Sequence, residues 1–287
     1  MLEVLDMHVV DVAAAGAIIC FAVTAQAAVG FGSALFAIPL LVLLGIPLPN
    51  IIVLVYTCSM MQTVIGARKL REDVPWRPAF AAISVMTVGL VLGLVLLSRL
   101  ANLNKDTIRL AVGCVLALIV VAQIVIRPKP VATLHPAWGA AAFVSAGFLG
   151  GACGMNGPPL VLWSMAHDWS NAKTRGFLFA VFSMANPIQI ALLTVTFGPS
   201  VLWFAVLGVG FLPLVYLGST LGLPIGNRMK KDTLKTCAFG LLLVIAASAV
   251  VPAALKWARG EKTQEEAELR TALNRTDMET AKKKRAE

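Results

Sequence analysis

Residues 30–40 read Gly30-Phe31-Gly32-Ser33-Ala34-Leu35-Phe36-Ala37-Ile38-Pro39-Leu40, and residues 150–160 read Gly150-Gly151-Ala152-Cys153-Gly154-Met155-Asn156-Gly157-Pro158-Pro159-Leu160. Both stretches sit inside long apolar runs, and both break them with glycine. Ser33 is placed to cap a helix that follows the first break. Gly157 precedes Pro158, a residue favoured in the first turn of a helix. Apolar segments broken at matching places in two halves of a chain point to a transport site near the bilayer midplane. A helix N-terminus there carries a partial positive charge and N–H donors without intrahelical acceptors. Two of them favour an anion.

The surrounding composition fixes the environment. Charged residues are 14% of the chain, against about 25% in soluble domains. Apolar runs long enough to span a bilayer recur from residue 9 to residue 257, so the fold class is an all-α polytopic membrane protein. Too few polar faces remain to wet a soluble surface. The net charge of +9 is carried by loops and tail. That distribution is ordinary for an inner-membrane protein and gives no sign of nucleic acid. Cys20, Cys58, Cys114, Cys153 and Cys237 all lie in apolar segments without a CxxC spacing, which reads as free thiols. The start, Met1-Leu2-Glu3-Val4-Leu5-Asp6, lacks a basic region, so no cleaved signal peptide is expected.

Ten hydrophobic elements are read, at 9–29, 33–45, 50–67, 79–98, 107–126, 137–153, 158–167, 173–197, 200–222 and 233–257. The elements at 33–45 and 158–167 cover roughly half to two-thirds of a core of about 30 Å and read as half-helices or strongly tilted ones. The halves repeat. When Gly30-Phe31-Gly32-Ser33 is laid on Gly154-Met155-Asn156-Gly157, Ser59 meets Ser183 and Gln62 meets Asn186. Further on, Lys105-Asp106-Thr107-Ile108-Arg109 matches Lys231-Asp232-Thr233-Leu234-Lys235, with Asp as a helix cap in both copies. Gly89 and Gly93 echo Gly218 and Gly222, a spacing that admits close helix packing, either within one chain or in a homodimer.

This organisation predicts a first transmembrane repeat over 9–126, a second over 137–257 and a charged tail over 258–287. Eight to ten spans follow, depending on whether each broken pair crosses once or twice. Five crossings per half make the repeats inverted, the arrangement favoured here. Loop charge gives no single orientation. An outside N-terminus puts basic loops 68–77, 127–136, 168–175 and 223–235 inside, but leaves the charged tail outside.

No catalytic constellation is visible, so the chain is not read as an enzyme. His8, His135 and His167 stand alone near segment ends, with no Cys or Asp at ligand spacing, so no metal site is expected. No phosphate loop and no cofactor motif is present. The candidate substrate-binding residues are the polar and glycine positions within the spans. Gly32, Ser33, Gly154, Asn156 and Gly157 belong to the breaks. Ser59 and Gln62 share a face of the third element, and Ser183 and Asn186 share a face of the eighth. For these four, interhelical hydrogen bonding is the competing role. Thr57 accompanies them, and Pro187 is expected to kink the eighth element. Arg175 opens a long apolar run, as a snorkelling anchor or as the lining of an anion entrance. Asp11 is the one carboxylate near a span interior, so no proton relay is evident and no divalent-cation site is expected.

On the two break sequences quoted above, and over the repeat organisation from about residue 9 to 257, the chain resembles the sulfite exporter TauE/SafE family of membrane permeases. Asn156, where glycine is commoner in that pattern, and Ala34 depart from it. The resemblance implies a multi-pass protein of the bacterial cytoplasmic membrane. It implies transport of sulfite or an organosulfonate such as sulfoacetate, and no cofactor. The partners expected are therefore a small anionic solute and the lipid bilayer. A non-transporting scaffold subunit and a permease for another small solute remain the alternatives.

Overall fold

The computed structural model describes residues 9–29, 32–100, 105–125, 131 and 134–228. The tenth element, the tail, His8, Cys237, the Gly30-Phe31 part of the first break and the 231–235 half of the second repeat match lie outside the described residues. Every described element is helical: α1 (Val9–Val29), α2 (Ser33–Leu43), α3 (Leu48–Lys69), α4 (Trp76–Leu100), α5 (Lys105–Val125), α6 (Pro136–Cys153), α7 (Gly157–Met165), α8 (Asn171–Phe197), α9 (Leu202–Gly210) and α10 (Leu212–Arg228). Among the described residues five helices, α1, α3, α4, α6 and α8, are long and apolar enough to cross a membrane. The stretch read as one element at 200–222 is instead bent by 52° between α9 and α10, and this bent pair makes a sixth candidate span. Gly208 and Gly210, just before the bend, weaken the helix locally. In contrast, α8 runs unbroken through Pro187.

The polarity of the fold is inverted relative to a soluble domain. Val88, Leu92 and Val95 of α4, Val195 of α8 and Val206 and Val209 of α9 face outward. The buried polar residues described are Gln26, Ser33, Asn50, Ser59, Thr63, Asn156, Ser164, Asn186 and Gln189, and none is charged. Lipid solvates apolar surface and charges no penalty for it, so polar groups gather inside, where neighbouring helices supply partners.

Glycine sets the tightest helix contacts. Gly89 and Gly93 of α4 pack on Gly147 and Gly151 of α6 so closely that the two backbones touch. A methyl on any of these four would come within 2.7–2.8 Å of the backbone nitrogen of Phe148, Ala152, Leu90 or Leu94. Gly218 and Gly222 of α10 do the same against α1, where a methyl on Gly218 would lie 2.7 Å from the Cys20 carbonyl oxygen. Both glycine pairs are thus occupied inside one chain, and neither leaves its face open for a homodimer. The pattern is also reciprocal. The fourth helix of the first half packs on the first helix of the second half, and α10 returns the contact to α1. α3 and α8, the second long helix of each half, pack against each other.

The two short helices are as brief as the sequence indicates, eleven residues in α2 and nine in α7. At 1.5 Å per residue each covers roughly half of the hydrocarbon core. α6 stops at Gly154, which adopts φ 75°, a left-handed cap donating its N–H to the Gly150 carbonyl at 2.9 Å. Only glycine takes that conformation without strain. An alanine there adds left-handed strain of about 1–2 kcal/mol, and its methyl would press on Ile38 and Ile52. Gly154→Ala is therefore expected to lower the thermal midpoint by several degrees in detergent, which a melting curve of the purified variant checks.

Candidate functional site

The two breaks converge on one small, partly open cavity of about 30 Å³. It is lined by Gly32 and Ser33 from the start of α2, and by Asn156 and Gly157 from the start of α7. α1 contributes Gln26, α3 contributes Tyr56, Ser59 and Thr63, and α8 contributes Phe182 and Asn186. The residues from α3 follow one helical face, as do Phe182 and Asn186 on α8. Two half-helices thus point their N-termini into one place, with the central helix pair beside them.

Local chemistry explains each position. Gly32 takes the cap place of α2 at φ 104°, and Ser33 is the first helical residue. Ser33 does not cap the helix as expected. Its hydroxyl pairs with that of Ser59 across 2.9 Å, joining α2 to α3. The tertiary partner outcompetes the local one, because Ser33 has already entered the helix and points away from its free N–H groups. At the second break Asn156 holds the cap position but makes no side-chain capping bond. Pro158 and Pro159 lack N–H groups, so Gly157 supplies the backbone donor of that first turn. The Tyr56 hydroxyl donates to the Gly154 carbonyl at 3.1 Å and fixes the second break against α3.

Several side chains here are buried without partners. Asn156 Nδ2, Asn186 Nδ2 and Gln26 Oε1 have no hydrogen-bond partner among the described residues. Their residues are 5%, 3% and 3% exposed. Leaving such a group unsatisfied costs about 1–3 kcal/mol, and native interiors rarely tolerate it. Here three of them surround one cavity. Gln62 Oε1 and Gln189 Oε1 are also unpartnered, though Gln189 donates its amide N–H to the Gly150 carbonyl.

Of the residues singled out from the sequence, Gly32, Ser33, Ser59, Asn156, Gly157 and Asn186 line the cavity. Gly154 stands behind it, through its bond from Tyr56. Gln62 and Ser183 do not line it. Each sits one residue away from a lining position, Thr63 or Phe182, and so is turned by about 100°. The Ser183 hydroxyl donates to Ala180 O in its own helix. Thr57 likewise donates to Val53 O and faces α9. Arg175 is exposed, with its guanidinium 5.8 Å from the Phe179 ring centre. Its replacement by alanine is expected to change anion flux less than about fivefold, since an exposed ion contact contributes ~1 kcal/mol or less; flux assays on Arg175→Ala check this. The sequence reading missed Gln26, Tyr56 and Thr63. Gln26, a lone amide in the run Ala25-Gln26-Ala27-Ala28-Val29, carried a signal that periodicity alone could not interpret.

A multi-pass helical protein that buries neutral polar groups around two half-helix N-termini lining one cavity has the build of a membrane transporter. The model of the family Sulfite exporter TauE/SafE matches residues 15–249, and the chain belongs to that family. It is a membrane permease and not an enzyme. A protein of Cupriavidus necator described as a probable sulfite/organosulfonate exporter TauE is 24% identical over 236 residues, covering 81% of this chain and 91% of that one. No solved structure matches the chain.

Proposed function

We propose that the protein is a secondary permease of the bacterial cytoplasmic membrane that carries sulfite or an organosulfonate between the N-termini of α2 and α7. The observation behind this reading is the pair of buried amide donors, Asn156 Nδ2 and Asn186 Nδ2, unpartnered among the described residues, beside two helix N-termini in a cavity that no charged residue lines among the described residues. An oxyanion accepts from all of these donors at once. The name borne by the Cupriavidus relative supports the same substrate class. Gly32, Ser33, Ser59, Asn156, Gly157 and Asn186 contact the anion in this account; Gly154 positions the second break. Gln62, Ser183 and Arg175 act outside the cavity.

The cavity holds one or two waters by volume. An oxyanion enters when the half-helices separate. Halves 9–126 and 137–257, taken as inverted repeats, rock against each other to open the cavity to either side. The reciprocal α4–α6 and α10–α1 contacts support this, because each half grips the other through one glycine-paired helix. A membrane potential negative inside drives an anion outward by about 2.3 kcal/mol per charge per 100 mV, so export needs no coupling ion. Purified protein in liposomes, given a potassium diffusion potential, is expected to show saturable flux of radiolabelled sulfite that follows the potential. Absence of sulfite and sulfonate flux at every potential would contradict the reading.

A further inference from the structure

We propose that the anion reaches the cavity from the cytoplasm through a basic mouth at the joined ends of α3 and α8, where Arg68, Lys69, Arg71, Arg77, Lys173 and Arg175 collect it. The proposal rests on the permease reading above and adds the side on which substrate is loaded and the residues that gather it.

Helix direction defines the two faces. Gly66 of α3 packs on Phe179, and Gly176 of α8 lies against Leu70 and Val74, so α3 ends where α8 begins. α4 starts from that face, and α6 runs parallel to it: Gly89 meets Val144, and Gly93, one turn on, meets Phe148. α7 returns to the same face, where the Val131 N–H donates to the Ala166 carbonyl at 3.0 Å. The α6–α7 pair therefore dips in and comes back. The α1–α2 pair does so from the opposite face. α1 lies parallel to α10, with Gly16 on Leu214 and Gly218 on Cys20, and α2 leads back to the start of α3.

Charge separates these faces. The six cations named above stand at the end of α3, the α3–α4 connection and the starts of α4 and α8, against three carboxylates there, Glu72, Asp73 and Asp168. At the other ends of α3 and α8, residues 44–47 and 198–201 carry no charge. Arg99 and Lys105, beside Asp106, are the cations at the far α4–α5 connection. Connections rich in lysine and arginine stay in the cytoplasm, which places the mouth inside and the start of α1 outside.

The mouth belongs to the helices that line the cavity. Ser59 stands midway along the 22 residues of α3, and Phe182 and Asn186 stand midway along the 27 of α8. One turn from Thr63 and Phe182 toward the basic end, Phe179 packs on Gly66 and closes the seam between the two helices. The Arg175 guanidinium lies 5.8 Å from the centre of that ring. Lys69 is about 15 Å along α3 from Ser59 at 1.5 Å per residue, more than a screening length of about 8 Å at physiological salt. Exposed charges at that distance act on delivery of the anion and leave its affinity in the cavity unchanged. Each contributes little alone, and together they raise the local anion concentration.

The test is initial sulfite uptake in inside-out and right-side-out membrane vesicles as ionic strength rises from about 10 to about 150 mM, which shortens the screening length from about 30 to about 8 Å. Inside-out vesicles are expected to lose at least about fivefold in kcat/KM, while right-side-out vesicles stay level. Screening of anionic lipid acts with the opposite sign, because lipid charge repels the substrate. In Arg68→Gln/Lys69→Gln/Arg71→Gln/Lys173→Gln/Arg175→Gln the low-salt kcat/KM of inside-out vesicles falls to the high-salt value and no longer responds to salt, with kcat retained. Ser170→Cys, at the basic face, is expected to react with an impermeant maleimide in inside-out vesicles, and Ser200→Cys in right-side-out ones; Ser170→Cys added to the charge variant checks its orientation. A kcat/KM in inside-out vesicles that stays level or rises with salt makes these residues lipid anchors and overturns the proposal while the permease reading stands. Reaction of Ser170→Cys from the outer side overturns it equally. No sulfite uptake in either vesicle removes the permease reading and this proposal with it.

Discussion

Gly151→Val is expected to yield no folded, monodisperse protein. The glycine lies where α4 and α6 touch backbone to backbone, and a side chain there would meet Leu90 and the Leu94 nitrogen before any flexible group could yield. Main-chain atoms in two long helices move only if the helices separate along their length. That loses the contacts of Gly89, Gly93 and Gly147 together. Packing close through small residues is what holds helices together in lipid, where no hydrophobic force favours association. The expected cost exceeds about 3 kcal/mol, in the range reserved for overpacked cores. Gly210→Ala is the control. No atom lies within 4 Å of its added methyl, so it is expected to stay within ~0.5 kcal/mol of the parent. Size-exclusion profiles and melting curves of the two variants check the contrast. The loss of the α4–α6 contact also bears on function, because α6 ends in the cap that positions the second break.

The second large effect separates stability from activity. In the double variant Asn156→Ala/Asn186→Ala, both unpartnered buried amides are gone. Each amide costs the empty protein about 1–3 kcal/mol, so the thermal midpoint is expected to hold or rise. Anion binding moves the other way. A hydrogen bond to a charged group contributes about 1.5–3 kcal/mol, so the pair is worth at least about a hundredfold in affinity. Sulfite flux at low concentration and the thermal midpoint, measured on the same preparation, check the prediction. A variant that is destabilised and still transports at the wild-type rate would make these asparagines structural glue. Buried groups that burden the fold are expected where function needs them.

Much of this was legible before the structure. Glycine and proline act locally, so Gly154 to Pro159 announced the stop of one helix and the start of the next without help from tertiary contacts. The short reach of α2 and α7 followed from counting. Gly89/Gly93 and Gly218/Gly222 marked close contacts, but a glycine spacing says only that something approaches. That the partners are Gly147 and Gly151 in one case and Cys20 and Thr24 in the other is a property of the assembled bundle. The lining of the candidate cavity was legible by half. Residues fixed by the breaks, such as Ser33 and Asn156, were found. Those on long helices were found or lost according to helix rotation, which packing decides. Ser59 and Gln62 share a face on spacing alone, but the rotation of α3 aims Ser59 and Thr63 inward and turns Gln62 aside. Ser33 was expected as a cap because a local bond is the only one a sequence displays; Ser59 is 26 residues away. The bend at Phe211 was missed for a related reason, since glycine in an apolar run is as compatible with close packing inside one span as with a bend.

The anion is expected between the N-termini of α2 and α7. Selenite, the heavier analogue of sulfite, locates it directly through the anomalous scattering of selenium in crystals of the loaded protein. The account predicts one selenium peak in the cavity, within hydrogen-bond reach of the Asn156 and Asn186 amides and the Gly157 N–H. A selenium peak at the exposed Arg175, with none between the half-helices, would contradict it.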